Sequence, residues 1–263
     1  MFAIHNNNQA LKKSKRLHTS NPSLSTTVNF LFEDKKTSYI INNEKKIIHY
    51  ENLVNQVDKE TLTHKLLKNN FFNTKCNFLD ITLLNDKFTL IPNEFFEERT
   101  AEKFLNLNVP HLENLGIRFN LIPNFDLVLV FYYPEIIETL FTSYSEKIRI
   151  SHTGFKFLSK INKNLYSNGF FIHIYDHYFE ISFIENQKLI LYNIYPYKKV
   201  EDIEYFLKFI ANTLSQNLST HILYYYHIPH HLNAIKKFEK LFQKVVPGDE
   251  DTFKRENYTL LDI

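Results

Sequence analysis

Three sets of side chains in this 263-residue chain have types and spacing that could do chemistry. The first is an imidazole cluster, His227-Ile228-Pro229-His230-His231, with His221 upstream. Zinc needs three or four converging ligands, and here a strand end and a helix start would have to bring them together. No cysteine pair accompanies the cluster, so these histidines read as solvated loop residues. His173 and His177 straddle a turn and read as structural or exposed. The second set is Asp80, Asp126 and Asp176, carboxylates of the type that hold two metals in nucleases. Nothing in their spacing places them together, and no basic stripe follows them to hold a nucleic acid. The third is Cys76, the single cysteine, which has no nucleophile flanks and reads as a buried apolar residue. No metal site and no catalytic residue is expected from these sets.

Two tyrosine clusters, Tyr224-Tyr225-Tyr226 and Tyr192, Tyr195 and Tyr197, are candidates for a partner surface. Successive strand residues face opposite ways, so part of each cluster must pack inward. Net charge is +2 and the pI is near 8.3, which gives no strong field for nucleic acid or an anionic membrane. Residues 1–22 carry Lys12, Lys13, Lys15 and Arg16 with no acid and read as a flexible, solvated basic tail. No apolar run approaches the roughly 20 residues of a membrane-spanning helix. Asn6, Asn7, Asn8 and Gln9 interrupt any secretory core. With one cysteine and hence no internal disulfide, the expected setting is the cytoplasm.

The elements that must position these residues follow from periodicity. Val28 to Phe32, Thr37 to Asn42 and Ile47 to Tyr50 are strands joined by four-residue turns, Glu33–Lys36 and Asn43–Lys46. Asp58 caps a helix carrying Leu62, Leu66 and Leu67, and strands follow at Phe78–Leu84 and Phe88–Ile91. Pro92-Asn93 opens a helical stretch through Phe95, Phe96, Phe104 and Leu105. Asp126 to Tyr132 is nearly all apolar, as in a strand of an α/β sheet covered on both faces. A helix after Pro134 carries Ile136, Ile137, Leu140 and Phe141. Another carries Phe155, Leu158, Ile161 and Leu165 and ends before Gly169, which suits a left-handed C-cap. Strands Phe170–Tyr175, Tyr178–Ile184 and Lys188–Ile194 repeat the opening meander. Then come a helix from Val200 to Ser215, a strand from His221 to His227, and a helix from Pro229 stopped by Pro247-Gly248. Each half runs strand, strand, strand, helix, strand, helix, which implies a partly parallel sheet in each.

Leu189 and Tyr192-Asn193-Ile194-Tyr195-Pro196-Tyr197, followed by Glu201-Asp202-Ile203-Glu204-Tyr205, resemble the signature of a bacterial family catalogued as domain of unknown function 3822. Thr89-Leu90-Ile91-Pro92-Asn93-Glu94-Phe95-Phe96, running on to Phe104-Leu105, is similar to a second stretch of that family. The resemblance implies an actin-like ATPase fold of the ribonuclease-H-like type and implies no activity. The repeated layout likewise resembles the sugar kinase, Hsp70 and actin group, whose hairpin turns hold nucleotide phosphates through glycine-rich backbone.

The expected fold class is therefore α/β. It is a duplicated actin-like ATPase fold, with two lobes that each hold a mixed sheet of antiparallel meander and parallel strands flanked by helices. After the tail, the N-terminal lobe is expected over 23–168 and the C-terminal lobe over 169–263. The four glycines are Gly116, Gly154, Gly169 and Gly248, and none lies in the corresponding turns, Glu33-Asp34-Lys35-Lys36 and Asp176-His177. A side chain there hinders φ > 0 and close approach to an anion. Asp34 and Asp176 stand where a metal-organising carboxylate would be and read as ordinary turn residues. Lys198-Lys199 precede the helix at Val200 in place of a Ser, Thr or Asp cap. The expected role is a non-catalytic, pseudo-ATPase adaptor or scaffold for an unidentified protein partner, without a cofactor; a homo-oligomer stays open. The alternative is a nucleotide-binding protein or enzyme that uses the cleft between the lobes.

Overall fold

The computed structural model describes residues 26–33, 36–43, 46–54, 76–111, 114–142, 144–145, 147–162, 168–227 and 233–248. The basic tail, Asp34, Lys35, the helix expected after Asp58, Pro229, His230 and His231 lie outside them.

In chain order the elements are β1 (Thr26–Glu33), β2 (Lys36–Asn43), β3 (Lys46–Val54), β4 (Phe78–Leu83) and β5 (Phe88–Pro92). Two short 3-10 turns, Asn93–Phe95 and Glu98–Thr100, lead into α1 (Ala101–Asn108). Next come β6 (Leu115–Ile122), β7 (Leu127–Pro134), α2 (Ile136–Phe141), β8 (Ile148–His152) and α3 (Thr153–Lys160). The chain continues with β9 (Gly169–Ile174), β10 (Tyr178–Glu185), β11 (Lys188–Pro196), α4 (Val200–Thr213), β12 (Ile222–His227), α5 (Ile235–Phe238) and β13 (Lys244–Pro247).

Two five-stranded sheets share one order, β3-β2-β1-β4-β8 and β11-β10-β9-β12-β13. In each, three strands form an antiparallel meander and two add in parallel. The duplication and the mixed sheets match the expected fold class. A third sheet, β5-β7-β6, is antiparallel throughout and sits in the chain between β4 and β8.

Several local expectations are corrected. Glu33 pairs with Lys36 and Asn43 with Lys46, so each connection shrinks from four residues to two. The apolar strand β7 belongs to the antiparallel sheet, not to a parallel one. It is covered on both faces, as its composition requires, because alternate residues serve two cores. Leu129, Phe131 and Tyr133 enter the main core, while Val128, Val130 and Tyr132 pack with Ala101 and Leu105 of α1. Ile136 is exposed on α2, whose buried residues are Ile137, Leu140 and Phe141. Helices α3 and α4 end earlier than the apolar pattern suggested. Val245 lies in β13, which pairs in parallel with β12, rather than on a long final helix.

Gly169 does take a positive φ of 149°, but as the first residue of β9 instead of a helix cap. A Cβ there would stand 3.1 Å from the Ile222 carbonyl oxygen and 2.8 Å from a Tyr224 ring carbon. Gly169→Ala is expected to cost about 1–3 kcal/mol, read as a lower urea midpoint with unchanged slope.

The meander strands of the second sheet also divide by alternation. Phe170, Ile172, Ile174, Phe179, Ile181 and Phe183 face α4 and α5. Phe171, Tyr175, Ile184, Tyr192 and Ile194 face the other way and, with Tyr226 of β12, join one continuous core with Leu31, Ile81, Phe131 and Phe157 of the first half. The two sheets are thus packed into each other through shared apolar surface.

Candidate functional site

Where the sheets meet, the turn between β1 and β2 faces the turn between β9 and β10. The Lys36 ammonium forms an ion pair with the Asp176 carboxylate across 140 residues of sequence. Both hairpins position the pair: Lys36 opens β2, and Asp176 sits in a turn closed by Tyr175 N–H donating to the Tyr178 carbonyl at 2.8 Å. Beside the pair lies a groove of about 420 Å³ lined by Glu33, His177, Tyr178, Pro196, Tyr197, Lys198, Asp202, Tyr205 and Phe206.

The groove wall is an aromatic series reaching from the core to the surface. Phe179 meets Tyr195 at 5.6 Å, Tyr195 stacks on Phe206 at 4.4 Å, and Phe206 meets Tyr205 at 5.5 Å. Tyr205 and Phe209 are exposed on the outer face of α4. The Tyr197 hydroxyl donates to the Tyr175 carbonyl. Burial, then the negative Asp176 and Glu33, hold that phenol well above its ordinary pKa, so it stays a donor.

The start of α4 is capped from within. Asp202 accepts from the backbone N–H of Lys198 at 2.9 Å and of Lys199 at 3.1 Å, the return half of a capping box, in which the third helical residue reaches back to the residues before the helix. Backbone N–H donation lowers the Asp202 carboxyl below its usual range.

Two buried polar clusters flank the seam. Asp80 of β4 is fully buried in register between Asn29 of β1 and Arg149 of β8. Arg149 donates to it through Nε at 3.1 Å and Nη2 at 2.6 Å, and Lys156 Nζ of α3 through a third bond at 3.0 Å. Glu180 of β10 is fully buried and accepts from the hydroxyls of Tyr175 and, at 2.7 Å, Tyr192. Burial pushes its pKa up to about 7 against the tyrosine bonds and the Lys160 charge. Gly154 lets α3 approach this cluster, since a Cβ would stand 2.4 Å from the Tyr192 hydroxyl. His152 is fully buried with Nδ1 accepting from Gly154 N–H at 3.0 Å, so Nε2 donates to the Asn85 carbonyl at 2.9 Å. Burial lowers its pKa to about 4.

The three carboxylates singled out in the sequence lie on separate elements. Asp80 is neutralised inside the fold, Asp126 is exposed in a turn with φ of 55°, and Asp176 holds Lys36. No three His, Cys, Asp or Glu side chains converge among the described residues. His221 bonds Gln216 at 2.9 Å, and His173 stacks on Tyr175 at 4.3 Å. Burial raises the Cys76 thiol pKa, which keeps it protonated. Tyr225 and Tyr226 are buried in opposite cores, so that cluster is mostly packing. Sequence reasoning missed the Lys36–Asp176 pair, because a contact across 140 residues leaves no local pattern. It missed Glu180 although Tyr175 and Tyr192 are on the paired strands beside it, since only the covering first half buries the group.

A family-wide sequence profile matches residues 21–245, and its description is protein of unknown function, DUF3822. The chain belongs to that family. This DUF3822 chain is similar to a Bacteroides thetaiotaomicron protein of actin-like ATPase fold and unknown function. The TM-score is 0.71 at 19% identity, over 92% of this chain and 97% of that one. It is also similar to the PilM–PilN type IV pilus biogenesis complex, with a TM-score of 0.60 at 10% identity over 92% and 95% of the two chains. No curated protein matches its sequence. The DUF3822 chain thus has an actin-like ATPase fold, as its two sequence stretches implied. No helix among its described residues is long and apolar enough to cross a membrane.

Proposed function

We propose that this DUF3822 chain is a non-catalytic, pseudo-ATPase member of the actin-like fold, a cytoplasmic adaptor that works by holding another protein. The observation that carries the reading is the Lys36–Asp176 ion pair between the two hairpin turns. An actin-like fold implies a nucleotide whose phosphates lie between those turns, held by backbone N–H groups. Here the Asp176 carboxylate between the turns would repel an anion, and the Lys36 ammonium is paired with it. Asp202 adds a second carboxylate beside the start of α4, where it accepts from the N–H groups of Lys198 and Lys199. Phosphoryl transfer rests almost wholly on positioned charge around the phosphates, and these residues do not fit that requirement. The continuous core between the sheets also supports a fused body rather than two jaws closing on a ligand. The pilus neighbour is a complex of two proteins, the kind of use this reading gives the present chain.

Thermal shift with millimolar Mg-ATP or Mg-ADP tests the proposal. A nucleotide at a hundredfold excess over its Kd would add about 2.7 kcal/mol, or roughly 5–10 °C at this size. We expect less than about 1 °C and no phosphate release. A shift of that size with turnover would overturn the reading, and a shift without turnover would make the chain a nucleotide sensor.

A further inference from the structure

The geometry points to a docking surface, the open edge of β5, which takes an extended segment of a partner protein bearing alternating apolar side chains and a Lys or Arg. This deepens the adaptor reading and rests on it. In the order β5-β7-β6, β5 lies on the outside. Asn93 N–H donates to the Asp126 carbonyl at 3.0 Å and Tyr132 N–H to the Lys87 carbonyl at 3.0 Å. Antiparallel pairing alternates, so Lys87, Thr89, Ile91 and Asn93 turn their backbone groups toward β7. The N–H and C=O of Phe88 and Leu90 then point away from the sheet. No backbone group among the described residues pairs with them.

A groove of about 570 Å³ lies at the Pro92 end of this edge, lined by Leu90, Ile91, Pro92, Glu94, Phe95, Glu97 and Phe104. Its apolar surface includes Phe95, which is 61% exposed. All its lining residues come from Thr89–Leu105, one of the two stretches that carry the family likeness.

The backbone selects the class of occupant. Outward N–H and C=O groups two residues apart match another strand, whereas a helix has already satisfied its own. The side chains select the chemistry. Glu94 and Glu97 are the only charged groups in the lining, with Glu98 and Glu102 on the same turns and helix. Arg99 bonds Glu97 at 2.6 Å and His111 lies 3.5 Å from Glu102, but these pairs are exposed and screened, and Lys103 adds one further cation. The acid excess favours a basic residue at the Pro92 end of the added strand. A second copy paired antiparallel about Leu90 would instead set Glu94 against Asp86.

The test is selection of phage-displayed random ten-residue peptides on the full chain, followed by fluorescence anisotropy of the most enriched peptide. The expected peptides alternate apolar residues and carry Lys or Arg. Glu94→Lys with Glu97→Lys, and separately Phe95→Ser, should each weaken binding at least about tenfold; all three side chains are exposed, so both variants should fold. Amide exchange at Phe88 and Leu90 should slow when the peptide is bound. Absence of enriched peptides, equal affinity for both variants, or dimerisation through β5 would overturn the proposal. Enriched peptides that protect α4 instead would remove this surface and leave the adaptor reading standing. Nucleotide turnover would instead remove the adaptor reading, whether or not peptides bind the β5 edge.

Discussion

Asp80→Asn will destabilise the fold by about 3–5 kcal/mol, the usual cost of removing one partner from a buried ion cluster. The carboxylate is fully buried and takes three charge-assisted hydrogen bonds, two from Arg149 and one from Lys156. Arg149 has water on one side and can resolvate, but the Lys156 side chain is only 8% exposed. Burial already pulls the Lys156 pKa down, and Asp80 opposes that pull. Without Asp80 the amine must either stay charged without a counter-charge or give up its proton. The loss therefore shrinks as pH rises toward the ordinary lysine range, where the unfolded chain gives up the proton too. Urea unfolding at pH 7 and pH 10 reads both effects. Lys156→Met should cost clearly less than Asp80→Asn, because it keeps the two-bond Arg149 pair and the apolar stem. Equal loss in the two variants, or none at pH 7, would rule out an essential role for the cluster.

The second large effect comes from Glu180. Its folded pKa of about 7 stands above the ordinary 4.5, so the native state holds a proton that the unfolded chain releases. Stability from this group is full below pH 4.5 and is lost as pH rises toward 7. The loss is about 3 kcal/mol at about 1.4 kcal/mol per pH unit. His152 has the opposite sign. Its folded value of about 4 lies below the ordinary 6.5, so its contribution is full above pH 6.5 and is lost as pH falls toward 4. Between pH 4.5 and 6.5 the two slopes cancel. Glu180→Gln leaves a neutral group of the same shape between Tyr175 and Tyr192 and removes one slope. The variant's stability curve should then rise relative to the parent's by about 1.4 kcal/mol per pH unit from 4.5 to 7. It should end about 3 kcal/mol more stable at pH 8. Parallel curves for parent and variant would show that Glu180 ionises normally inside the fold.

Glu180 also bears on how the halves are joined. It sits on the face of β10 that meets the first half, beside α3 and Gly154. The same face carries Tyr178, Ser182 and Ile184, so the buried polar residues of β10 lie on the side that meets the first half, while Phe179, Ile181 and Phe183 face the helices.

The order of elements was legible because it depends on local chemistry. Alternating Val, Ile, Phe and Tyr between polar turns define the meanders, and the stripe Ile203, Leu207 and Ile210 defines α4. Two stretches of sequence likewise carried the family and the fold. The extents of α3 and the last helix were misread, because an apolar run does not say whether tertiary pairing will claim it. Val245 fits a helix face as well as a strand, and only β12 beside it decided the matter.

What the residues settled alone was the order of strands and helices and the family, since periodicity and short sequence stretches are local. That Lys36 meets Asp176 across 140 residues, and that the first half closes over Glu180 and its tyrosines, were decided by the tertiary structure. Each depends on segments far apart in the chain being brought together, and no spacing within one segment can encode the distance between two.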